Sequence, residues 1–181
     1  MNNFFSSALV SALATVSLTA SSAHAQNTFD DHEQLFNTLQ DVGVTVAINS
    51  ELHCVGDKDG VYYPYASLLV ICQDNMVTYG KQEPWTDNDF DTLRHEAHHV
   101  VQDCAANSLG DGILSTLFPE DELIEFFKSS NVTTEQLKDL YATLQEQGMS
   151  DLKIQQEMEA YVVAYDVSAS SISNKIREFC F

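Results

Sequence analysis

The sequence predicts an α+β domain in which a small antiparallel sheet is followed by a helical bundle. β-branched and aliphatic runs at 44–48 and 67–72 are typical of strands, and both lie in the first half of the chain. From about residue 86 onward, apolar residues recur at steps of three and four, as in amphipathic helices. Residues 26–181 contain no internal repeat or obvious linker, so we expect one domain with its own core.

Residues 1–25 are typical of a secretory signal peptide. The segment has no Asp, Glu, Lys or Arg, contains an apolar run, and ends in Ala23-His24-Ala25, a small-residue cleavage pattern. Neither this run nor any later stretch is long and apolar enough to predict a stable membrane span. We therefore expect a secreted or periplasmic protein whose mature chain begins near Gln26.

The first half of the mature chain predicts one helix and two strands. Residues 30–41 start with acidic residues suited to a helix N-terminus and carry an apolar face. Residues 44–48 are mostly β-branched, and residues 67–72 are the strongest strand candidate. Between them we predict a turn at 56–60, and a proline interrupts the aromatic segment 62–65.

The second half predicts four helices. Each start is marked by a capping residue or a proline. The predicted starts are Thr86 or Asp87, Pro119, Thr133 or Thr134, and Ser150. The last helix is expected to run without a break to about residue 176, because its apolar residues keep helical spacing throughout.

The composition is strongly acidic. The chain has 27 acidic residues and only 8 Lys or Arg, a formal net charge of −19. Because phosphate binding needs a basic face, the charge excludes nucleic acid as an expected partner. It predicts a well-solvated surface instead.

All four cysteines lie in the predicted mature chain. An even number in an exported protein predicts two disulfides, and the sequence permits three pairings of Cys54, Cys72, Cys104 and Cys180. No two of them have the C-x-x-C spacing of a zinc site built from cysteines.

The most informative motif is H-E-x-x-H, formed by His95, Glu96, Ala97, His98 and His99. Residues i and i+4 lie on one face of a helix, so the imidazoles of His95 and His99 can bind a single ion, for which zinc is well suited. Glu96 lies beside that face and can reach a metal-bound water without binding the metal. The apolar stripe of the same helix faces elsewhere and comprises Phe90, Leu93, Ala97, Val100, Val101 and Cys104.

A catalytic zinc site usually has three protein ligands and a position open to water. The metzincin pattern fails, because Gln102 replaces its glycine and Ala105 replaces its last histidine. The other common ligand is a carboxylate from a later helix, and helical geometry alone does not choose between Glu157 and Glu159. Two further alternatives lie on an earlier, less regular helix: Glu122 and Glu125.

With these residues, the chain resembles the gluzincin group of zinc metallopeptidases from roughly residue 67 to residue 165. Members pair an H-E-x-x-H helix with a glutamate on a following helix, often written E-x-x-x-D or E-x-x-A-D. Aligned in this way, Glu157 takes the ligand position and Ala160 matches the small residue. Tyr161 stands where the family often has an aspartate.

The resemblance implies a zincin-like core in which Zn²⁺ is held by His95, His99 and Glu157. The implied activity is hydrolysis of peptide bonds in a peptide or protein substrate. Glu96 is then the general base on a zinc-bound water and later gives a proton to the leaving amine. The resemblance also implies that the strand at 68–72 is an edge strand that pairs with an extended peptide.

Several neighbouring residues have expected secondary roles. His98 points away from the paired histidines and is not expected to be a ligand. Asp103, one turn after His99, is either a solvated acid, the more common case, or an acceptor that orients that imidazole. The candidates for an oxyanion donor are Tyr161, Tyr165, His53 and the tyrosines of residues 62–65.

Two other functional classes remain open from sequence. Peptide deformylases also use H-E-x-x-H, with a cysteine as third ligand, for which Cys54 or Cys72 is available. The second class is a secreted, disulfide-containing binding domain in which the metal is structural or absent.

Overall fold

The order of elements is one helix, three strands and five further helices across the part of the chain that the computed structural model describes, residues 29–56, 58–106 and 108–181. They are α1 (Phe29–Asp41), β1 (Thr45–Ile48), β2 (Gly60–Tyr63), β3 (Leu68–Ile71), α2 (Asp87–Ala106), α3 (Glu120–Ser129), α4 (Thr134–Glu146), α5 (Asp151–Asp166) and α6 (Ala169–Cys180). The α+β prediction is confirmed. The predicted signal peptide at 1–25 and the predicted mature start at Gln26 lie outside the described residues.

The three strands form one mixed sheet with the order β1-β3-β2. β2 pairs antiparallel with β3, placing Val61 opposite Val70, whereas β1 pairs parallel with β3, placing Ala47 opposite Val70. The prediction of an antiparallel sheet is therefore wrong for the β1–β3 pair. A strand's apolar pattern indicates which of its faces is buried, but not the direction of its neighbour.

β2 is a strand that the sequence did not predict. It begins at Gly60, the last residue of the predicted turn, and continues into the aromatic segment. The proline of that segment, Pro64, is not within the strand but starts a 3-10 turn at Pro64–Ala66. Since Pro64 lies outside the ladder, its missing N–H removes no strand hydrogen bond.

The prediction of one unbroken final helix is wrong. α5 ends at Asp166, Val167 has an extended backbone, and the side chain of Ser168 caps α6 by accepting a hydrogen bond from the backbone N–H of Ser171. Both helices bury an apolar face, so helical spacing continues across the break and does not reveal it. The predicted caps Thr133 and Ser150 are confirmed for α4 and α5.

The core is built around α2. The predicted apolar stripe of this helix is buried from Phe90 to Cys104. It packs with residues of the sheet, such as Leu69 and Ile71, and with residues of α6, such as Ile172. α5 packs along another side of α2, and α1 packs against α6. The helix that carries H-E-x-x-H is therefore held on several sides.

Two disulfides join distant parts of the fold and confirm the predicted number. Cys54 is bonded to Cys72, which joins the segment after β1 to the end of β3, and Cys104 is bonded to Cys180, which joins α2 to α6. Among the described residues, no helix has the length and apolar character needed to cross a bilayer.

Candidate metal centre

The structure brings three predicted ligand residues together in a His–His–Glu cluster, which consists of His95, His99 and Glu157. His95 and His99 lie one turn apart on α2, with their Nε2 atoms 3.1 Å from each other. Glu157 reaches them from α5, and its Oε2 lies 3.3 Å from each of the two Nε2 atoms. Three lone-pair atoms from two helices thus form a nearly equilateral triangle.

The size of this triangle fits a zinc ion. Zinc bonds to imidazole nitrogen and carboxylate oxygen are about 2.0–2.1 Å long, so two ligand atoms at tetrahedral corners lie roughly 3.3–3.4 Å apart. The observed separations of 3.1–3.3 Å agree with that spacing. In the part of the chain that the structure describes, the His, Cys, Asp and Glu side chains that lie close enough together to hold a metal are those of His95, His99 and Glu157.

Glu96 is buried beside the cluster, with 7 % of its surface exposed. Its carboxylate accepts a hydrogen bond from the backbone N–H of Tyr62 on β2. Burial raises the pKa of Glu96 above its ordinary value, an effect that His95 and His99 oppose and that Glu157 reinforces. Glu96 is therefore a carboxylate with raised proton affinity, held close to the two imidazoles.

The cluster strongly perturbs its own titration when it holds no metal. Burial alone lowers the pKa of His99, but the hydrogen bond and charge of Glu157, together with the charge of Glu96, raise it to about 9. Burial raises the pKa of Glu157, but its hydrogen bonds to His95 and His99 hold that pKa well below its ordinary value. In the metal-free protein Glu157 is thus a carboxylate paired with a protonated His99.

Glu159, the other candidate from the sequence, lies apart from the cluster. It is fully buried, and its Oε1 is 2.7 Å from His98 Nε2. Both of its carboxylate oxygens accept from the backbone N–H of Leu117. His98 accordingly points away from the cluster, as the sequence predicted.

Gln102 is the residue that sequence reasoning missed. Its Oε1 lies 2.8 Å from Nδ1 of His99, where the sequence suggested Asp103. Asp103 instead accepts hydrogen bonds from the hydroxyl of Tyr62, at 2.6 Å, and from the backbone N–H of Gly110. The suggestion for Asp103 is therefore wrong, and the i, i+3 spacing of His99 and Gln102 was the signal that could have found the correct partner.

Two cavities reach the cluster. One, of about 360 Å³, is lined by His99, and the other, of about 550 Å³, is lined by His95. Both are also lined by Gly60, Glu96 and Glu157. The cluster is thus reached from two cavities, which meet at Gly60, the first residue of β2.

The strand beside these cavities is β2, and the prediction that residues 68–72 form the edge strand is wrong. β3 lies in the centre of the sheet, between β1 and β2, so both of its edges are paired. β2 is an edge strand, and three of its residues, Gly60, Val61 and Tyr62, line the smaller cavity.

Comparison with known families gives a match along nearly the whole chain. Residues 17–181 match a family described as a domain of unknown function (DUF8637). The chain belongs to this family. No curated protein and no solved structure matches it.

In this DUF8637 chain, the remaining candidates from the sequence fall into two groups. Tyr161 and Tyr165 line the larger cavity together with His95. Two other candidates for an oxyanion donor already contact other side chains. The hydroxyl of Tyr62 is bonded to Asp103, and the ring of His53 packs on Tyr63.

The alternative ligands do not join the cluster of the DUF8637 chain. Glu122 and Glu125 are exposed on α3, and Glu125 pairs with Lys128. Cys54 and Cys72 are bonded to each other, so neither supplies the thiolate that a deformylase-type site requires.

Proposed function

We propose that this member of DUF8637 is a zinc-dependent metallopeptidase that hydrolyses peptide bonds outside the cytoplasm. The observation that carries the proposal is the triangle of His95 Nε2, His99 Nε2 and Glu157 Oε2, with sides of 3.1–3.3 Å. It combines the H-E-x-x-H helix with a carboxylate on a later helix, as in the gluzincins that the sequence resembles.

The three ligand residues suit zinc in type and in number. Two imidazoles and one carboxylate are a common ligand set of catalytic zinc sites, which keep a further position open. When bound, the ion would polarise a scissile carbonyl and lower the pKa of a water molecule toward neutral pH. The two cavities lined by residues of the cluster support such an open position.

Glu96 is suited to proton transfer. It neighbours His95 in sequence but is not one of the three triangle residues, and both cavities reach it. In the metal-free protein burial raises its pKa, and a carboxylate with raised proton affinity is suited to accept a proton. We assign to Glu96 the acceptance of a proton from the attacking water and its later delivery to the leaving amine.

β2 is suited to hold an extended peptide beside the cluster. β2 pairs with β3 along one edge. Apart from the Tyr62 N–H, which donates to Glu96, the backbone groups of its other edge suit the hydrogen bonds that peptides form by strand addition. The lining of the smaller cavity by β2 residues, together with His99 and Glu96, supports a peptide position next to these two side chains. This assignment moves the peptide-binding role from β3 to β2.

Tyr161 is the best-placed oxyanion donor. It lies one turn after Glu157 on α5 and lines the larger cavity together with His95. Burial, together with Tyr165 and Asp91, raises the pKa of its phenol, which keeps the hydroxyl protonated and able to donate. A donor at this position can stabilise negative charge on a carbonyl oxygen during attack.

An extracytoplasmic location agrees with the covalent structure. Disulfides persist in oxidising compartments and are rare where thiols are kept reduced. All four cysteines of this chain form disulfides. Together with the signal-like segment at 1–25, this supports secretion or export to a periplasm.

The proposal is tested with purified protein, Glu96→Gln, Glu157→Gln and the matched control Glu122→Gln on the surface of α3. We expect about one zinc ion per chain in the wild type, the control and Glu96→Gln, and far less in Glu157→Gln. Cleavage of a fluorescence-quenched peptide library should fall at least about 100-fold in Glu96→Gln, because it loses general base catalysis.

Two results would contradict the proposal. Near-normal cleavage by Glu96→Gln would remove this residue from the reaction. A wild-type protein that holds zinc in a closed four-ligand site and cleaves no member of the library would instead favour a binding domain with a structural metal.

A further inference from the structure

Gln102 lies where three segments of the protein meet. It is fully buried on α2, and its Oε1 is 2.8 Å from Nδ1 of His99. Its Nε2 donates to the backbone oxygen of Gln156 at 3.1 Å and to Oε1 of Glu159 at 3.2 Å, both on α5. Its own backbone oxygen accepts from the N–H of Ser115, in the segment before α3. One side chain therefore connects a candidate metal ligand with α5.

The partners of Gln102 determine how its amide is oriented. A backbone carbonyl and a carboxylate can only accept hydrogen bonds, so the amide nitrogen has to face Gln156 and Glu159. The amide oxygen is then left to face Nδ1 of His99 and can only accept from it. The proton of a neutral His99 is thereby held on Nδ1, and the lone pair lies on Nε2, which faces His95 and Glu157.

Glu159 fixes the orientation of the Gln102 amide by accepting a hydrogen bond from its nitrogen. Its carboxylate has no exposed surface, and it is fixed by His98 Nε2 at 2.7 Å and by the N–H of Leu117 at 3.0 and 3.1 Å. The remaining contact of its Oε1 is the hydrogen bond from Gln102. A buried carboxylate with this many donors is rigid, and it limits rotation of the Gln102 amide.

We propose that Gln102 is a positioning residue for His99 and that Glu159 acts through it. Together they hold the His99 ring in the orientation and tautomer that direct Nε2 into the His–His–Glu cluster. Partners of this kind, which bond the far nitrogen of a ligating histidine, commonly change metal affinity 10- to 100-fold. The inference rests on the proposed function only in that it takes His99 as a metal ligand.

Gln73 provides a matched control for a purely structural role. It is also a buried glutamine, with 4 % of its surface exposed, and its side chain bonds Asn49 and the backbone of Glu83 at 2.7–3.0 Å. It lines neither cavity at the cluster. Replacing either glutamine by leucine removes a buried polar network, but only one of the two networks reaches His99.

The experiment measures zinc affinity by competition with a chromophoric chelator for the wild type, Gln102→Leu and Gln73→Leu. Far-ultraviolet circular dichroism checks that each protein is folded. We expect the zinc Kd to rise about 10- to 100-fold in Gln102→Leu and to change less than about threefold in Gln73→Leu. The absorption spectrum of the cobalt(II) form should shift in Gln102→Leu alone, because the ligand field depends on the orientation of His99.

Glu159→Gln keeps the size of the side chain and is the milder second variant. It should also raise the zinc Kd, by less than Gln102→Leu, and it decides the question if Gln102→Leu does not fold. Wild-type affinity in a folded Gln102→Leu protein, or failing that in Glu159→Gln, overturns the inference. A wild type that binds zinc but cleaves no peptide contradicts the proposed function alone, whereas one that binds no zinc contradicts both.

Discussion

His99 is the residue on which most of the local chemistry converges. Its Nε2 faces Glu157 and its Nδ1 faces Gln102, so both ring nitrogens have a defined partner. Because Glu157 raises the pKa of His99 to about 9, a proton occupies the imidazole of the metal-free protein at neutral pH. The same ion pair then contributes to the stability of the metal-free fold.

The first prediction concerns the pH dependence of that stability. The pKa of His99 is raised from 6.5 to about 9, so its contribution is complete below about pH 6.5 and is lost as the pH rises through 9. The pKa of Glu157 is lowered, so its contribution is present above about pH 4.5 and is lost in acid. In chelator, urea unfolding should show a free energy of unfolding lower at pH 9.5 than at pH 6, by an amount on the order of 2 kcal/mol.

The control for this prediction is Glu157→Gln, which removes the carboxylate but keeps the size of the side chain. Its free energy of unfolding should depend less on pH over the same interval, since the pKa of His99 loses the partner that raises it. An equal pH dependence in both proteins would show that other groups control stability in this range.

Individual site residues could be predicted from the sequence to different extents. H-E-x-x-H follows from spacing, because i and i+4 share a helix face whatever the surroundings. The preference for Glu157 over Glu159 needed the family resemblance, since both lie on one helix. Gln102 and Asp103 both lie one turn after His99, and the choice between them depends on Tyr62, whose position on β2 the sequence did not reveal.

β2 determines the shape of the site through a single glycine. A Cβ atom on Gly60 would lie 2.5 Å from Cγ2 of Thr92, 3.0 Å from the backbone oxygen of Val70 and 3.2 Å from Cγ of Glu96. Separations this short cannot persist, so a side chain here must displace the Thr92 methyl group, the strand or the helix. The absence of a side chain lets β2 lie directly against the face of α2 that carries Glu96.

The second prediction is that Gly60→Ala lowers peptide cleavage at least about tenfold while zinc binding is retained, because small displacements of catalytic groups have large effects on rate. Overpacking should also lower the free energy of unfolding by about 1–3 kcal/mol. Kinetics and zinc content of the same preparation check both statements.

A second substitution tests the reason for this effect. Thr92→Ser removes the methyl carbon closest to the added Cβ, so it should restore part of the activity of Gly60→Ala. No recovery in the double variant would mean that the loss does not arise from this contact.

Helices and strands were predicted well where a single sequence pattern, such as an apolar run, was dominant. They were predicted poorly where two patterns, such as a turn and a strand, overlapped. β3 and α2 were found because apolar runs and caps agreed. β2 was missed because a glycine-rich turn and Pro64 bracket only four strand residues, Gly60–Tyr63. The break between α5 and α6 was missed because Ser168 reads as an ordinary helix residue unless the extended backbone of Val167 is known.

Over the whole molecule, the two disulfides differ in how much chain they enclose. Cys54 and Cys72 are 18 residues apart, whereas Cys104 and Cys180 are 76 residues apart. The longer loop contains α3, α4 and α5, and therefore Glu157. The bond between Cys104 and Cys180 thus limits the separation of Glu157 from the helix of His95 and His99 in the unfolded chain.

The third prediction follows from this difference. In the chain-entropy model the bond between Cys104 and Cys180 stabilises by roughly 4–5 kcal/mol and the bond between Cys54 and Cys72 by about 3 kcal/mol. Cys104→Ala/Cys180→Ala should therefore lower the free energy of unfolding more than Cys54→Ala/Cys72→Ala does. Urea unfolding of both double variants in zinc-saturated buffer makes the comparison, and the reverse order would contradict the entropic explanation.

The fold class and the order of its elements were largely predictable, because both depend on local patterns along the chain. The parallel pairing of β1 with β3 and the packing of α1 against α6 were not, because they join segments that are distant in sequence. The sequence predicted the number of disulfides, but it could not predict their pairing, because each bond also joins segments that are distant in sequence.

The bond between Cys104 and Cys180 has one further consequence when the polypeptide is cut by a protease. A single backbone cut at any position between these two cysteines divides the polypeptide but releases no fragment, because the sulfur atoms still join both pieces. Glu157 would then remain tethered to the helix of His95 and His99 after a nick in the exposed segments around α3 and α4.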